Sequence, residues 1–138
     1  GKEAGPIWGK PMVSRALAAG DYDNDGDSDL LFVNNGESAV LLQNNGGNAN
    51  PWLGLHLVGS QSNRDAVGAV VIMTTDRRKI FRERGGGGSY LAAQDPRIIL
   101  GLEEGETIIS LEVRWPSGAV EHLDPLELSR YHTLREEQ

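Results

Sequence analysis

Residues 21 to 33 read Asp21-Tyr22-Asp23-Asn24-Asp25-Gly26-Asp27-Ser28-Asp29-Leu30-Leu31-Phe32-Val33, an alternation of acids followed by an unbroken apolar run. Carboxylates at loop positions 1, 3, 5, 7 and 9 repel one another unless a cation lies among them. Calcium suits such a loop, being hard, oxygen-seeking and tolerant of irregular geometry, whereas magnesium demands a tight octahedron. Gly26, at position 6, permits the sharp turn that brings both halves of the loop around an ion. The spacing begins like an EF-hand, but position 12 is Phe32 where that motif needs a bidentate glutamate, and the flanking segments are strand-like. The loop is therefore expected on a β-hairpin. Its expected metal residues are Asp21, Asp23, Asp25, Asp27 and Asp29. By analogy with other such loops, Asp27 contributes its backbone carbonyl and the others contribute side chains. A solvated acidic turn is the bland alternative.

Outward from the loop, β-branched and apolar runs recur between clusters of Gly, Asn, Asp and Pro, the signature of strands joined by turns. The expected strands are Val13 to Ala19, Asp29 to Asn34, Ala39 to Gln43, Leu53 to Val58, Ala69 to Thr75, Lys79 to Arg84, Arg97 to Leu100, Thr107 to Trp115 and Ala119 to Leu123. Tyr131 to Glu136 is expected to close the chain. Leu111, Val113 and Trp115 alternate with Glu112 and Arg114, so that strand is half buried with Trp115 inward. Leu53, Leu55 and Leu57 alternate with Gly54 and His56, which places His56 on the face opposite the leucines. Asn35-Gly36 suggests a type I′ hairpin turn, and Pro116-Ser117-Gly118 a second hairpin turn. Pro125 to Tyr131 has room for one short helical turn. The low-apolar stretch Asn44 to Pro51 marks a boundary, giving a hairpin unit over 1–50 and a larger β domain over 51–138.

Only 38% of the 138 residues are apolar and 18 are glycine, which favours short strands and tight turns over a helical bundle. Asp plus Glu total 20 against 13 Lys plus Arg, a net charge of -7 that opposes binding to a phosphate backbone. The basic cluster Arg77, Arg78, Lys79, Arg82 and Arg84 reads as a solvated strand edge, where charge blocks pairing with other chains. No cysteine is present, which excludes disulfides, thiolate zinc sites and a cysteine nucleophile. No apolar run is long enough to cross a bilayer. The first residues lack signal-peptide order and read as the start of a piece cut from a longer protein.

The stretch Ala18 to Leu30 strongly resembles an FG-GAP or VCBS repeat, the unit from which the β-propellers of extracellular adhesion proteins are built. From Asn63 onward the chain resembles the ASPIC/UnbV domain that follows those repeats in the cartilage acidic protein family and its bacterial relatives. That resemblance is carried by Asn63-Arg64-Asp65-Ala66-Val67-Gly68-Ala69, by Gly88-Ser89-Tyr90-Leu91 with Gln94-Asp95-Pro96-Arg97, by Leu100-Gly101-Leu102, and by Val113-Arg114-Trp115-Pro116-Ser117-Gly118. The resemblance implies calcium binding, secretion to the cell envelope or exterior, and a final propeller blade or part of one, whose companions lie elsewhere in a parent chain. It implies no particular activity. Gly85-Gly86-Gly87-Gly88-Ser89 is richer in glycine than the family pattern and matches a common engineered linker, but it is read in preference as a native loop, because the pattern resumes at Tyr90 and Gln94. No Gly-Lys-Ser or Gly-Lys-Thr follows it to make a phosphate cradle.

The expected fold is thus all-β, a propeller-type calcium hairpin packed beside a small sandwich or barrel-like domain. Enzyme motifs are lacking: no Gly-x-Ser-x-Gly elbow occurs, His56 reads as an exposed strand histidine with no second histidine nearby, and His122 and His132 have no evident partner beyond a carboxylate such as Glu121. Asn63, Arg64 and Asp65 read either as a binding loop for a polar ligand such as a sugar or as a self-bonded turn, with Asp95 and Arg97 treated alike. The leading expectation is a non-enzymatic calcium-binding module for adhesion or ligand binding, with carbohydrate or an extracellular protein as partner. The alternative is part of a calcium-dependent enzyme whose pocket the rest of the propeller completes.

Overall fold

Leu53, Leu55 and Leu57 do face one way and His56 the other, and this alternation organises the carboxy-terminal half. The computed structural model describes residues 6–137. After a 3-10 turn at Pro6–Gly9 come ten strands: β1 (Ser14–Gly20), β2 (Asp29–Asn34), β3 (Val40–Leu42), β4 (Trp52–Val58), β5 (Val70–Thr75), β6 (Lys79–Glu83), β7 (Ile98–Gly101), β8 (Ile108–Arg114), β9 (Val120–Leu123) and β10 (Arg130–Arg135). They form three sheets of order β1-β2-β3, β10-β4-β7 and β6-β5-β8-β9. Every pairing is antiparallel except β10 with β4.

The two carboxy-terminal sheets share one core. Leu53, Leu55 and Leu57 of β4 and Ile98 and Leu100 of β7 join Val71 and Met73 of β5, Leu111 and Val113 of β8, and Trp115. No closed barrel forms among the described residues, which corrects the barrel-like option. β6 is an outer strand, as the basic cluster requires. Arg78 does more than meet solvent, because its Nε lies 3.0 Å from Oε1 of the buried Glu106. That guanidinium, the Thr75 hydroxyl and the Glu103 amide hold the Glu106 carboxyl down at about 2.

Two local expectations fail for identifiable reasons. Residues 125–131 form no helical turn, since Leu126 and Leu128 instead pack against the core at the two-residue spacing of extended chain. Asn35-Gly36 is not a two-residue type I′ turn: only Gly36 has positive φ, and β3 does not begin until Val40. The Asn34 side chain closes this longer loop, accepting from Ser14 Oγ at 2.7 Å and donating to the Ser38 carbonyl at 2.9 Å. The turn at Pro116-Ser117-Gly118 forms as expected, with the Gly118 amide donating to the Trp115 carbonyl.

Glu136, directly after β10, fastens the end of the chain. Its Oε2 accepts from the amides of Ser60, Gln61 and Ser62 at 2.8, 2.8 and 2.7 Å, and its Oε1 accepts from the hydroxyls of Ser62 and Ser117. Burial opposes ionisation there, but these hydrogen bonds outweigh it and hold the carboxyl at about 2.

Candidate metal centre

The acid loop joins β1 to β2, and Asp21 and Asp29 are both buried at its two ends. One carboxylate oxygen from each of Asp21, Asp23 and Asp29 lies within 4.8 Å of the others. Asp21 Oδ1 accepts from the Asp25 amide at 3.0 Å, and its Oδ2 accepts from the Gly26 amide at 2.8 Å. Asp29 accepts from the Tyr22 amide and, across the loop, from the Asn44 amide, both at 2.8 Å. These bonds fix the carboxylates while leaving further lone pairs on each.

Asp25 and Asp27 lie outside that converging set of three. Asp25 Oδ1 accepts from the Asp27 amide and its Oδ2 from Asn48 Nδ2 at 2.7 Å. Asp27 Oδ2 accepts from the Gly47 amide at 2.9 Å, and its Oδ1 is buried with no hydrogen-bond partner. Residues 44–48, which composition marks as a boundary, therefore wrap the loop and supply donors to it. None of the five acids is in an ion pair among the described residues. Asp25 registers the consequence: the Asp27 amide lowers its pKa, but desolvation and the charges of Asp23, Asp27 and Asp21 outweigh this and raise it. An all-carboxylate donor set with an orphaned buried oxygen fits a hard divalent cation.

Several partners come from far along the chain, and sequence spacing gave no sign of them. The Tyr131 hydroxyl on β10 donates to Asp21 Oδ2 at 2.6 Å. Burial and that carboxylate together raise the tyrosine pKa. Arg97 stacks on the Tyr131 ring with Cζ 4.2 Å from its centroid, pairs with Asp95 at 2.6 Å, and donates to the Asp21 carbonyl at 2.6 Å and to Asn24. Trp52 packs edge-on to Tyr131, and a Cβ at Gly26 would come within 1.9 Å of its Cε2. Gly26 also has φ 96°, so backbone conformation and the covering indole both require glycine there.

The segment after the glycine run meets the same unit. β1 is an edge strand whose outward amides and carbonyls would otherwise be unpaired. Ser89 Oγ accepts from the Leu17 amide, and Gln94 accepts from the Ala19 amide at 2.6 Å and donates to the Leu17 carbonyl. The Asp95 amide donates to the Ala19 carbonyl, and its carboxylate accepts from the Asp21 amide. Residues 89–95 thus stand in for a neighbouring strand.

The match to known sequences falls in this carboxy-terminal half. Residues 59–138 match the family described as ASPIC and UnbV. The chain belongs to this family. No curated protein matches it. Within the ASPIC/UnbV region, Asn63 behaves as a self-bonded turn residue, exchanging two hydrogen bonds with the backbone of Val67. Asp95 and Arg97 also bond to each other, and their bonds extend to the acid loop. Arg64 and Asp65 make no such local side-chain bonds among the described residues, and with His56 they line a groove on the far part of the β10-β4-β7 sheet. His132 contacts the Glu127 carbonyl, and His122 approaches Glu112, not Glu121. Trp115 is core.

Proposed function

We propose that this chain is a calcium-stabilised extracellular β module for adhesion or ligand binding, the carboxy-terminal part of a larger secreted protein. The observation that carries the reading is the convergence of Asp21, Asp23 and Asp29 within 4.8 Å, in a loop none of whose five acids is ion-paired among the described residues. Calcium bound there, with Asp25 or Asp27 reorienting to complete its shell, would clamp the β1–β2 hairpin. Through Tyr131 and Arg97 it would also fasten that hairpin to the ASPIC/UnbV domain.

The same proposal takes β1 to β3 as part of an FG-GAP or VCBS blade. Its support is the surface of that sheet. Register places Leu31 beside Leu41 and Ala18 on one face, and Leu17 beside Phe32 and Val40 on the other. Leu17, Leu31, Val33 and Leu41 are 37 to 45% exposed. A small sheet apolar on both faces is suited to lie between other blades.

Calorimetric titration with calcium tests the metal reading. We expect one site with a dissociation constant of roughly 0.1 to 1 mM, the range of extracellular modules, and its loss in Asp23→Ala. No heat of binding at millimolar calcium would remove the foundation of the proposal. A second reading, a calcium-dependent enzyme, draws on the groove that brings Arg64, Asp65 and His56 together. Hydrolytic turnover by the parent protein that is lost in His56→Ala would favour it.

A further inference from the structure

The face of β4 and β10 that carries Gly54 and Tyr131 continues away from the acid loop. Two residues on, the register pairs His56 with Thr133, and two further on it pairs Val58 with Arg135. The loop after β4 folds over this end, and Arg64 and Asp65 complete a groove of about 370 Å³. That volume falls near the lower end of small-ligand sites, which run from roughly 300 to 1,000 Å³.

The arginines of this groove differ from the rest. Arg77, Arg78, Arg97, Arg114 and Arg130 are in ion pairs, Arg15 lies over Tyr90, and Arg82 and Arg84 donate to carbonyls. Arg64 and Arg135 have no side-chain partner among the described residues. Two free guanidiniums sharing one concave surface is a notable arrangement in a chain of net charge -7.

The groove is also held rigid. Glu136, next to Arg135, takes three successive amides of the loop that leads to Arg64. The Gly59 amide donates to the Arg64 carbonyl at 3.0 Å, and Asn63 and Val67 close the far side. Ala66, fully buried, sits at φ 50°, a conformation that costs an alanine free energy and persists because its surroundings impose it. These bonds leave Arg64 and Asp65 presented outward from a fixed backbone.

From this arrangement we infer that the groove binds an acidic sugar unit. The planar donor forks of Arg64 and Arg135 suit its carboxylate. Asp65, Thr133 and His56 supply acceptors and donors for its hydroxyls. Asp65 accepts hydroxyl hydrogens, which a sugar acid offers and sulfate lacks, so the groove favours a hydroxylated acid over sulfate. No groove residue belongs to the acid loop, so this inference does not depend on calcium.

The test is a nuclear magnetic resonance titration of the full chain, with and without calcium, using glucuronate, glucose and sulfate as separate probes. Saturable shifts confined to amides at 56–58, 63–66 and 133–135 are expected with glucuronate at millimolar concentration. Glucose and sulfate are expected to bind about tenfold more weakly or worse, as is glucuronate to Arg64→Ala or Arg135→Ala, each removing a charge-assisted pair. Both substitutions are at exposed positions and should leave the melting temperature within a few degrees. Absence of shifts at tens of millimolar glucuronate overturns the inference. So do shifts located elsewhere, glucose or sulfate binding as tightly as glucuronate, and unchanged affinity in both variants.

Discussion

The two halves of this molecule differ in what they bury. In the carboxy-terminal domain the buried side chains are mostly apolar, with Leu53, Leu55, Val71, Met73, Leu100 and Val113 all fully inaccessible, and the buried polar ones, Thr75, Glu106 and Glu136, are few beside them. Before Pro51, among the described residues, no large apolar side chain is buried; Asp21, Asp27, Asp29 and Asn34 are. One half is stabilised by removing apolar surface from water. The other is stabilised by carboxylates that collect backbone amides, and by Tyr131, Arg97 and Gln94 lent from the domain. Stability of the hairpin unit is therefore conditional, whereas the core of the domain is its own support.

The largest effect that would expose this contrast is a cavity in the domain. Leu55→Ala should cost about 2 to 5 kcal/mol, read as a lower urea midpoint. Because Tyr131, Arg97 and Gln94 hold the hairpin from the domain, both halves should lose structure together; a hairpin that stays protected while the domain unfolds would reverse this dependence.

Calcium withdrawal probes the opposite direction. If the ion binds as proposed, calcium at a hundred times its dissociation constant contributes about 2.7 kcal/mol. Chelation should then speed hydrogen exchange at residues 17–34 while leaving that of β4, β5 and β8 nearly unchanged. Uniform acceleration across both halves would show that the loop is no separate unit.

A smaller effect, confined to acid, concerns the carboxylates of the domain. Glu136 and Glu106 are each depressed from 4.5 to about 2 in the folded state. Their contribution is complete above the unfolded value and is lost as pH falls through the folded one. Unfolding curves should show wild-type stability declining between about pH 4.5 and 2. Glu136→Gln should be less stable at neutral pH and show a shallower decline; parallel curves would sink the role assigned to Glu136.

Much of the fold is legible in the sequence, for reasons that separate local from distant physics. Each expected strand is present to within a few residues, because alternation at 53–57 and 111–115 and turn residues such as Pro116 and Gly118 act over short spans. The acid loop is legible because its charges are crowded within nine residues. Every bond that closes the loop from afar is invisible to spacing: Tyr131 on Asp21, Arg97 on the Asp21 carbonyl, and residues 89–95 along β1. Composition suggests that 44–51 is a boundary, yet the Gly47 amide serves Asp27 and the Asn44 amide serves Asp29. Arg64 and Asp65 read as turn residues ahead of ligand residues, but the turn bonds fall to Asn63 and Glu136 instead.

The bond from Tyr131 to Asp21 joins residues 110 apart. On a ribosome the acid loop emerges well before the tyrosine that closes it, which is added 110 residues after Asp21. Long-range closures of this kind slow folding, because loop entropy is lost before the contact repays it. The order of synthesis and the order of completion therefore run in opposite directions, and the nascent hairpin must wait, open and negatively charged, for β10 to arrive beside β4.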